Sequence, residues 1–326
     1  MTIYDAHCHI FNARILGSLA KEASTDDSAT RDVGSWWDWI SELAYGIVSS
    51  ERANNKFVLK SLKARFPNQD CATIPLMMDL SYANNKTLKA GQDGPGGGLR
   101  LDGIRSQVHA LRSLSSRGNC YPFFAVDPRR PGLIDAILDG EFITQSPGGF
   151  YGIKLYPRLG FHPLSGDLPA LYRYCAMKGI PITTHCSTGG FWSSDHVEMC
   201  NPENFRPALM AHGNLKINFA HWGNGSTDWM NSILSLMRNH SNVYADLSSY
   251  GSPKDLPGFK KALWGHQIVK ERTLYGSDYN MVYFTQGGIG LDGYIKSFID
   301  NFSVDELAAM MSSNPEAFLK GFKNVH

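Results

Sequence analysis

Two histidines separated by one residue, His7-Cys8-His9, stand at the end of a strand-like run that begins almost at the first residue. On a pleated strand, Asp5, His7 and His9 point one way and Tyr4, Ala6 and Cys8 the other. Two imidazoles on one face of a rigid strand can grip one ion. An isolated His-x-His is common by chance, so the rest of the chain has to carry the argument. It does so by repetition: further apolar runs end in Lys154, His185, His221 and Asp278. A lone buried histidine is more often a hydrogen-bonded core residue than a ligand. Four histidines and an aspartate at successive strand ends are a different matter.

Such residues need elements that bring them together. Strands are expected at about 2–9, 73–81, 121–127, 149–156, 180–186, 216–222, 242–248 and 272–278. Helices are expected near 99–117, 131–139, 165–178, 203–213, 226–239, 253–266 and 303–322. Runs such as Ile74-Pro-Leu-Met-Met78 and Phe123-Phe-Ala-Val126 are continuously apolar, as parallel strands covered on both sides require. Strand–helix alternation repeated eight times predicts an α/β fold, a (β/α)8 TIM barrel, with its chemistry at the downstream strand tips. A doubly wound open sheet would not bring five tips around one point.

The whole chain, 1–326, reads as a single barrel domain. Residues 11–70 are far longer than a usual first connection and predict a helical insert after strand 1 covering the catalytic face. Within it, Ser35-Trp-Trp-Asp38 has the pattern of a capping box. Trp36, Trp37 and Trp39 are expected to pack that insert onto the barrel. Gly91-Gln-Asp-Gly-Pro-Gly-Gly-Gly98 lacks the Gly-Lys-Ser/Thr ending of a phosphate loop and reads as a connector or hinge.

At 326 residues and 43% hydrophobic content the chain can bury a large core. A formal charge of +1 without blocks of like charge argues against nucleic-acid and membrane-surface partners. No apolar stretch reaches the roughly 20 residues of a spanning helix, and the amino terminus lacks a signal-peptide pattern. A cytoplasmic protein acting on a small molecule is expected, with homo-oligomerisation left open. The six cysteines contain no Cys-x-x-Cys pair and read as reduced core thiols.

Taken in order, Asp5-Ala-His-Cys-His-Ile-Phe11, Gly152-Ile-Lys-Leu-Tyr-Pro157, Thr184-His185, Ala220-His-Trp-Gly223, Tyr244-Ala-Asp-Leu-Ser248 and Tyr275-Gly-Ser-Asp-Tyr279 resemble the successive signatures of the metal-dependent amidohydrolase superfamily. Within it the chain resembles the amidohydrolase-related branch that includes aminocarboxymuconate-semialdehyde decarboxylase. The likeness runs from residue 2 to Asn314-Pro-Glu-Ala317 and leaves out most of 11–70. It implies that His7, His9, His185 and Asp278 ligate a divalent metal, zinc being the expected ion, with His221 near the attacking water or the substrate oxygen. An ion with three nitrogens, one carboxylate and a position open to water lowers the water's pKa from near 15.7 to roughly 7. Asp278 would then relay the water's proton to the leaving group, and His221 would stabilise the developing oxyanion.

Lys154 divides the implied sites. In two-metal members a carboxylated lysine on strand four bridges the ions; in one-metal members an unmodified lysine can anchor a substrate carboxylate. One ion is the expectation, and a second, bridged by carboxylated Lys154, the alternative. Lys154, Tyr156, Arg158 and Trp222 are the expected substrate contacts, Arg158 as anchor for an anionic group. Tyr279 also follows a strand tip. Asp246 is expected to make a structural hydrogen bond. The expected activity is hydrolysis of an amide, lactone or other acyl C–N or C–O bond of a small substrate. The alternative is non-oxidative decarboxylation of a small carboxylated one.

Overall fold

The computed structural model describes residues 1–11, 50–82, 99, 101, 103–190, 194–250, 255–279, 281 and 290–320. Eight strands alternate with helices: β1 (Thr2–Cys8), α1 (Glu51–Arg65), β2 (Asp70–Pro75), α2 (Arg105–Ser115), β3 (Phe123–Val126), α3 (Leu133–Leu138), β4 (Gly152–Leu155), α4 (Leu168–Lys178) and β5 (Ile182–Ser187) in the first part. There follow α5 (Arg206–Ala211), β6 (Ile217–Asn224), α6 (Thr227–Asn239), β7 (Val243–Asp246), α7 (Asp255–Leu263), α8 (Gln267–Arg272), β8 (Thr273–Leu274), α9 (Gly290–Asn301), α10 (Val304–Ala308) and α11 (Asn314–Leu319).

Strands β3 to β8 pair in chain order, all parallel, and β1 pairs with β2 in the same sense. Parallel bridges Thr73–Cys120 and Leu76–Phe123 carry the sheet from β2 to β3. On the other side Ala6 N donates to Tyr275 O (2.9 Å) and Asp278 N to His7 O (2.8 Å), joining β8 to β1. The eight strands therefore form a ring, the TIM barrel read from the sequence.

The outer strand face packs on the helices, as the pattern of α6 illustrates. Ser226 caps its amino end by accepting from Trp229 N, and Trp229, Ile233, Leu234, Leu236 and Met237 are its buried stripe. Inside the ring, Tyr4, Ala6, Leu76, Phe123, Tyr244 and Leu274 cluster with Phe318 of α11. The Phe318 ring lies 6.1 Å from Phe123 and 5.1 Å from Tyr244 and fills the barrel floor. The polar residues of the barrel lie above this apolar floor.

Several expected boundaries shift for physical reasons. β2 begins at Asp70, three residues before the expected start; Asp70 is exposed because the strand's first residues project beyond the floor. The expected helix at 303–322 is α10 and α11 joined by a π turn at Ala309–Ser313. Pro315, in the first turn of α11, has no N–H to continue an α-helical ladder. β8 is a regular strand over two residues only, although its continuation still bonds to β1. α1, inside the expected insert, buries Val58 and Leu62 in the main core as a regular crossover helix. Ser35–Asp38, the tryptophans beside it and Gly91–Gly98 lie outside the described residues. Among the described residues no helix is long and apolar enough to cross a membrane.

Candidate metal centre and active site

The histidine pair on β1 is aimed by an irregularity that alternation does not show. The register between β1 and β2 slips by one residue between Asp5 and Cys8. The extra residue inverts the pleat, as a bulge does. Tyr4 and Ala6 belong to the inner cluster, whereas Cys8 lies in the helix-facing core. Asp5, expected on the face of His7, instead accepts from Ser277 N (3.0 Å), Ser277 Oγ (2.5 Å) and His7 N (3.3 Å). It pins β8 to β1.

Past the bulge, His7 Nε2 and His9 Nε2 lie 3.2 Å apart, and Asp278 Oδ1 lies 3.4 Å from the first and 3.5 Å from the second. Tetrahedral zinc with bonds of about 2.0–2.1 Å has ligand–ligand edges of about 3.3 Å, so the triangle has the size of one tetrahedral face. Its protonation fits as well. His7 Nδ1 faces Asp246 Oδ2 at 3.0 Å and His9 Nδ1 faces the Leu76 carbonyl at 2.9 Å. Both acceptors require Nδ1–H, which leaves both Nε2 lone pairs bare and turned to each other. Asp278 Oδ1 is buried without a hydrogen-bond donor among the described residues, while Oδ2 accepts from Ser249 Oγ at 2.6 Å. Two bare nitrogens and a bare carboxylate oxygen at this spacing repel unless a cation lies between them. The donor set fits zinc or a similar divalent ion.

His185 and His221 form a second pair beside the triangle. His185 Nε2 faces the Gly189 carbonyl at 3.0 Å, so Nδ1 is its bare nitrogen. That nitrogen lies 3.1 Å from His221 Nε2. His221 Nδ1 is 2.8 Å from Ser248 Oγ and 3.3 Å from the Ser248 carbonyl. The rings of His9, His7, His221 and His185 follow one another at centroid separations of 5.1, 4.9 and 4.8 Å. The structure thus brings His7, His9 and Asp278 to ligand distance. His185, expected as the fourth ligand, adjoins them through His221 and is outside both described clusters whose ligand atoms lie within 4.8 Å of one another.

Four of these five residues, His9, His185, His221 and Asp278, line a cavity of about 280 Å³ together with Lys154, Tyr156, Phe11, Met78 and Met281. Lys154 is 2% exposed and has no hydrogen bond or ion pair among the described residues. Burial lowers its pKa to about 8, against the pull of Asp246 and Asp278. Burial, and then His7, lowers His9 to about 3. Burial likewise lowers His221 to about 4 and His185 well below the usual imidazole value. Burial pushes the Asp278 carboxyl up, but His221, His7, His9 and Ser249 outweigh it and leave the group below its ordinary value. Neutral imidazoles and an ionised carboxylate are the protonation states a metal site requires.

Two expected substrate contacts are placed elsewhere. Strict alternation along β6 would turn Trp222 into the barrel. His221 (φ 64°), Trp222 (φ 48°) and Gly223 (φ 67°) are all left-handed and invert it. His221 enters the cavity, and Trp222 is fully buried against Phe259 of α7, rings 5.3 Å apart. Arg158 is buried in a tight turn after β4, where Nη1 donates to the Thr188 carbonyl at 3.0 Å. It supports the loop above His185 and does not line the cavity. Tyr279 is also buried: its hydroxyl donates to Asn54 of α1 at 3.1 Å. Tyr156 does line the cavity, its ring edge-on to His185 at 4.6 Å. Asp246 makes the expected hydrogen bonds, but to site residues as well as to the loop after β7. The sequence reading missed Phe11, Met78, Ser249 and Met281, whose one signal is their place just past a strand tip.

A barrel with a metal-sized triad at its downstream mouth belongs to a known class, and the comparisons agree. Residues 124–321 match the amidohydrolase family profile, and the chain belongs to that family. The match begins at β3, so His7 and His9 lie ahead of it. No curated protein matches the chain. Solved structures extend the fold likeness over the whole length. An uncharacterized TIM-barrel protein from Bordetella bronchiseptica is 17% identical, with TM-score 0.63 and 98% of each chain covered. A Pseudomonas putida protein named as a candidate 2-pyrone-4,6-dicarboxylic acid hydrolase is 15% identical, with TM-score 0.58, covering 99% of this chain and 98% of its own. An amidohydrolase from Burkholderia multivorans with bound zinc is 12% identical, with TM-score 0.54, covering 98% and 99%.

Proposed function

We propose that this protein is a metal-dependent hydrolase of a small substrate, cleaving an amide, lactone or other acyl C–N or C–O bond. The observation that carries the reading is the triangle of two bare imidazole nitrogens and one bare carboxylate oxygen at the mouth of an amidohydrolase-family barrel. His7, His9 and Asp278 would hold one divalent ion, with His185 Nδ1 and His221 Nε2 as the adjoining donors; zinc in the Burkholderia relative supports the choice of metal. An ion held there supplies Lewis acidity, acidifying water and polarising an acyl carbonyl.

The chain's own residues do the rest. Asp278, ionised and held by Ser249, accepts the proton of the attacking water and returns it to the leaving nitrogen or oxygen. His221, neutral, protonated at Nδ1 and set on a left-handed residue at the cavity wall, turns a bare Nε2 towards the cavity, where it accepts a hydrogen bond from the attacking water and helps orient it. Lys154, a buried cation with no ion pair among the described residues, binds an anionic group of the substrate. Phe11, Met78 and Tyr156 enclose its apolar body and exclude water. A cavity of about 280 Å³ selects a small molecule.

The lysine also favours a second reading, decarboxylation of a small carboxylated substrate at the same centre. Stripping metal with a chelator, restoring zinc and assaying a panel of small lactones, amides and carboxylates tests both. Zinc-restored hydrolysis of a panel member supports the first. Carbon dioxide release without net water consumption selects the second. A protein that takes up no stoichiometric zinc refutes both, and two equivalents would assign the second ion to the His185–His221 pair.

A further inference from the structure

We propose that the tip of β7, Asp246-Leu247-Ser248-Ser249, is the positioning element of this centre: it supplies no ligand but dictates which nitrogen His7 and His221 present. The inference rests on the metal-centre reading above. Asp246 stands close enough to His7 and His221 to be mistaken for a ligand itself. Its hydrogen bonds exclude that role. Oδ2 accepts from His7 Nδ1 (3.0 Å) and Asn218 Nδ2 (2.7 Å). Oδ1 accepts from His221 N (3.1 Å), Ser248 N (3.1 Å) and the Ser248 hydroxyl. Five donors occupy its acceptor positions, and none of these oxygens faces the cavity.

The hydroxyl of Ser248 completes the device. Its one proton goes to Asp246, so towards the imidazoles it can only accept. His221 Nδ1 lies 2.8 Å and His7 Nδ1 3.0 Å from that oxygen. Both rings must therefore carry their proton on Nδ1 and leave Nε2 bare, His7 towards the triangle and His221 towards the cavity. The next residue, Ser249, is left-handed (φ 63°) and turns its hydroxyl onto Asp278 Oδ2, leaving Oδ1 as the bare oxygen. Three side chains within four consecutive residues, Asp246, Ser248 and Ser249, thus orient a ligand from β1, a ligand from the end of β8 and the β6 histidine at once.

The test reads the tautomers directly. In metal-free protein labelled with 15N-histidine, long-range 1H–15N correlation is expected to show His7 and His221 protonated at Nδ1, each signal assigned by its loss in a His→Gln variant. In Asp246→Asn every neighbour of the former carboxylate is a donor, so the new amide NH2 meets a donor whichever way it is turned. His7 is then expected to move its proton to Nε2, and zinc affinity, measured by competition with a chromophoric chelator, to fall 10–100-fold. Ser248→Ala keeps Asp246 as the acceptor for His7 Nδ1, so it is expected to weaken the Nδ1 preference of His221 and to lower zinc affinity less than Asp246→Asn does; a His221 signal identical to the parent's would overturn the part given to Ser248. An Nε2-protonated His7 or His221 in the parent overturns the proposal, as does unaltered zinc affinity in Asp246→Asn. Should that variant fail to fold, the parent spectrum and Ser248→Ala decide. A parent that binds no zinc refutes the metal-centre reading, whereas the tautomers are read without metal.

Discussion

At the scale of single residues, the proposed centre rests on side chains that give one polar atom to a neighbour and leave the other bare. Asp278 gives Oδ2 to Ser249 and keeps Oδ1 towards His7 and His9. Asp278→Asn keeps the shape but removes the ability to accept a proton, so turnover should vanish while the circular-dichroism spectrum stays that of the parent. Comparable activity in that variant would sink the proton relay. Replacing His7 or His9 by Ala should instead lower the zinc content of the purified protein, measured by atomic absorption. Lys154 makes the opposite bargain: its pKa falls from 10.5 to about 8 on burial. The unfolded chain thus binds the proton more tightly, and the buried ammonium destabilises the fold below about pH 8, a burden relieved as pH rises towards 10.5. The shift corresponds to a cost on the order of 3 kcal/mol at neutral pH. Lys154→Met should therefore raise the urea midpoint of the metal-free protein, and a lower midpoint would mean that the ammonium has a stabilising anionic neighbour.

At the scale of elements, the centre depends on how closely neighbouring strands approach. Gly276, past the regular end of β8, has room for no side chain: a Cβ would stand 2.5 Å from His7 Cβ and 3.2 Å from Ser248 Cβ. Gly276→Ala must push the β8 tip away from β1 and carry Asp278 away from His7. Expected are a loss of about 1–3 kcal/mol in stability, typical of overpacking, and weaker zinc binding than in the parent; full affinity in a destabilised Gly276→Ala would separate packing from site geometry. The same scale explains what the sequence made legible. His7, His9, Lys154, His185, His221 and Asp278 each end an apolar run, and a parallel barrel gathers such ends, so the constellation could be read from local pattern alone. The facing of individual side chains could not. It was reset by the bulge between Asp5 and Cys8 and by three consecutive left-handed residues at 221–223, neither of which leaves a mark on hydrophobic alternation. Those two distortions sent Trp222 into the core and took Asp5 off the face of His7. Left-handed non-glycine residues each cost roughly 1–3 kcal/mol, and four of them, His221, Trp222, Ser249 and Asp278, lie at this one site.

At the scale of the whole molecule, the centre is held by the closure of the ring: His7 and Asp246 are 239 residues apart, and Asp5 and Ser277 are 272 apart. Its electrostatics should therefore register in global stability. An unfolded imidazole takes up a proton near pH 6.5, whereas folded His9 does so near 3, His221 near 4 and His185 below the usual range. Between pH 6.5 and 4 the unfolded chain consequently binds up to three more protons than the folded one at these residues. Asp5 works against them: burial raises it from 3.8 to about 6, so in the same window the folded state holds one proton that the unfolded state lacks. Three histidines opposed by one aspartate leave a net uptake of up to two protons on unfolding. Stability of the metal-free protein must then fall as pH falls, by up to about 3 kcal/mol per pH unit at the steepest. Asp278, whose folded value is lowered, withdraws its stabilisation only as pH drops below the unfolded aspartate value of 3.8, outside this window. Urea midpoints measured at pH 7.5, 6.5, 5.5 and 4.5 without metal check the sign, since a fall through this range is expected. A midpoint that holds level or rises on acidification would mean that the folded imidazoles accept protons as readily as free ones. The lone pairs on which the metal centre depends would then already be taken.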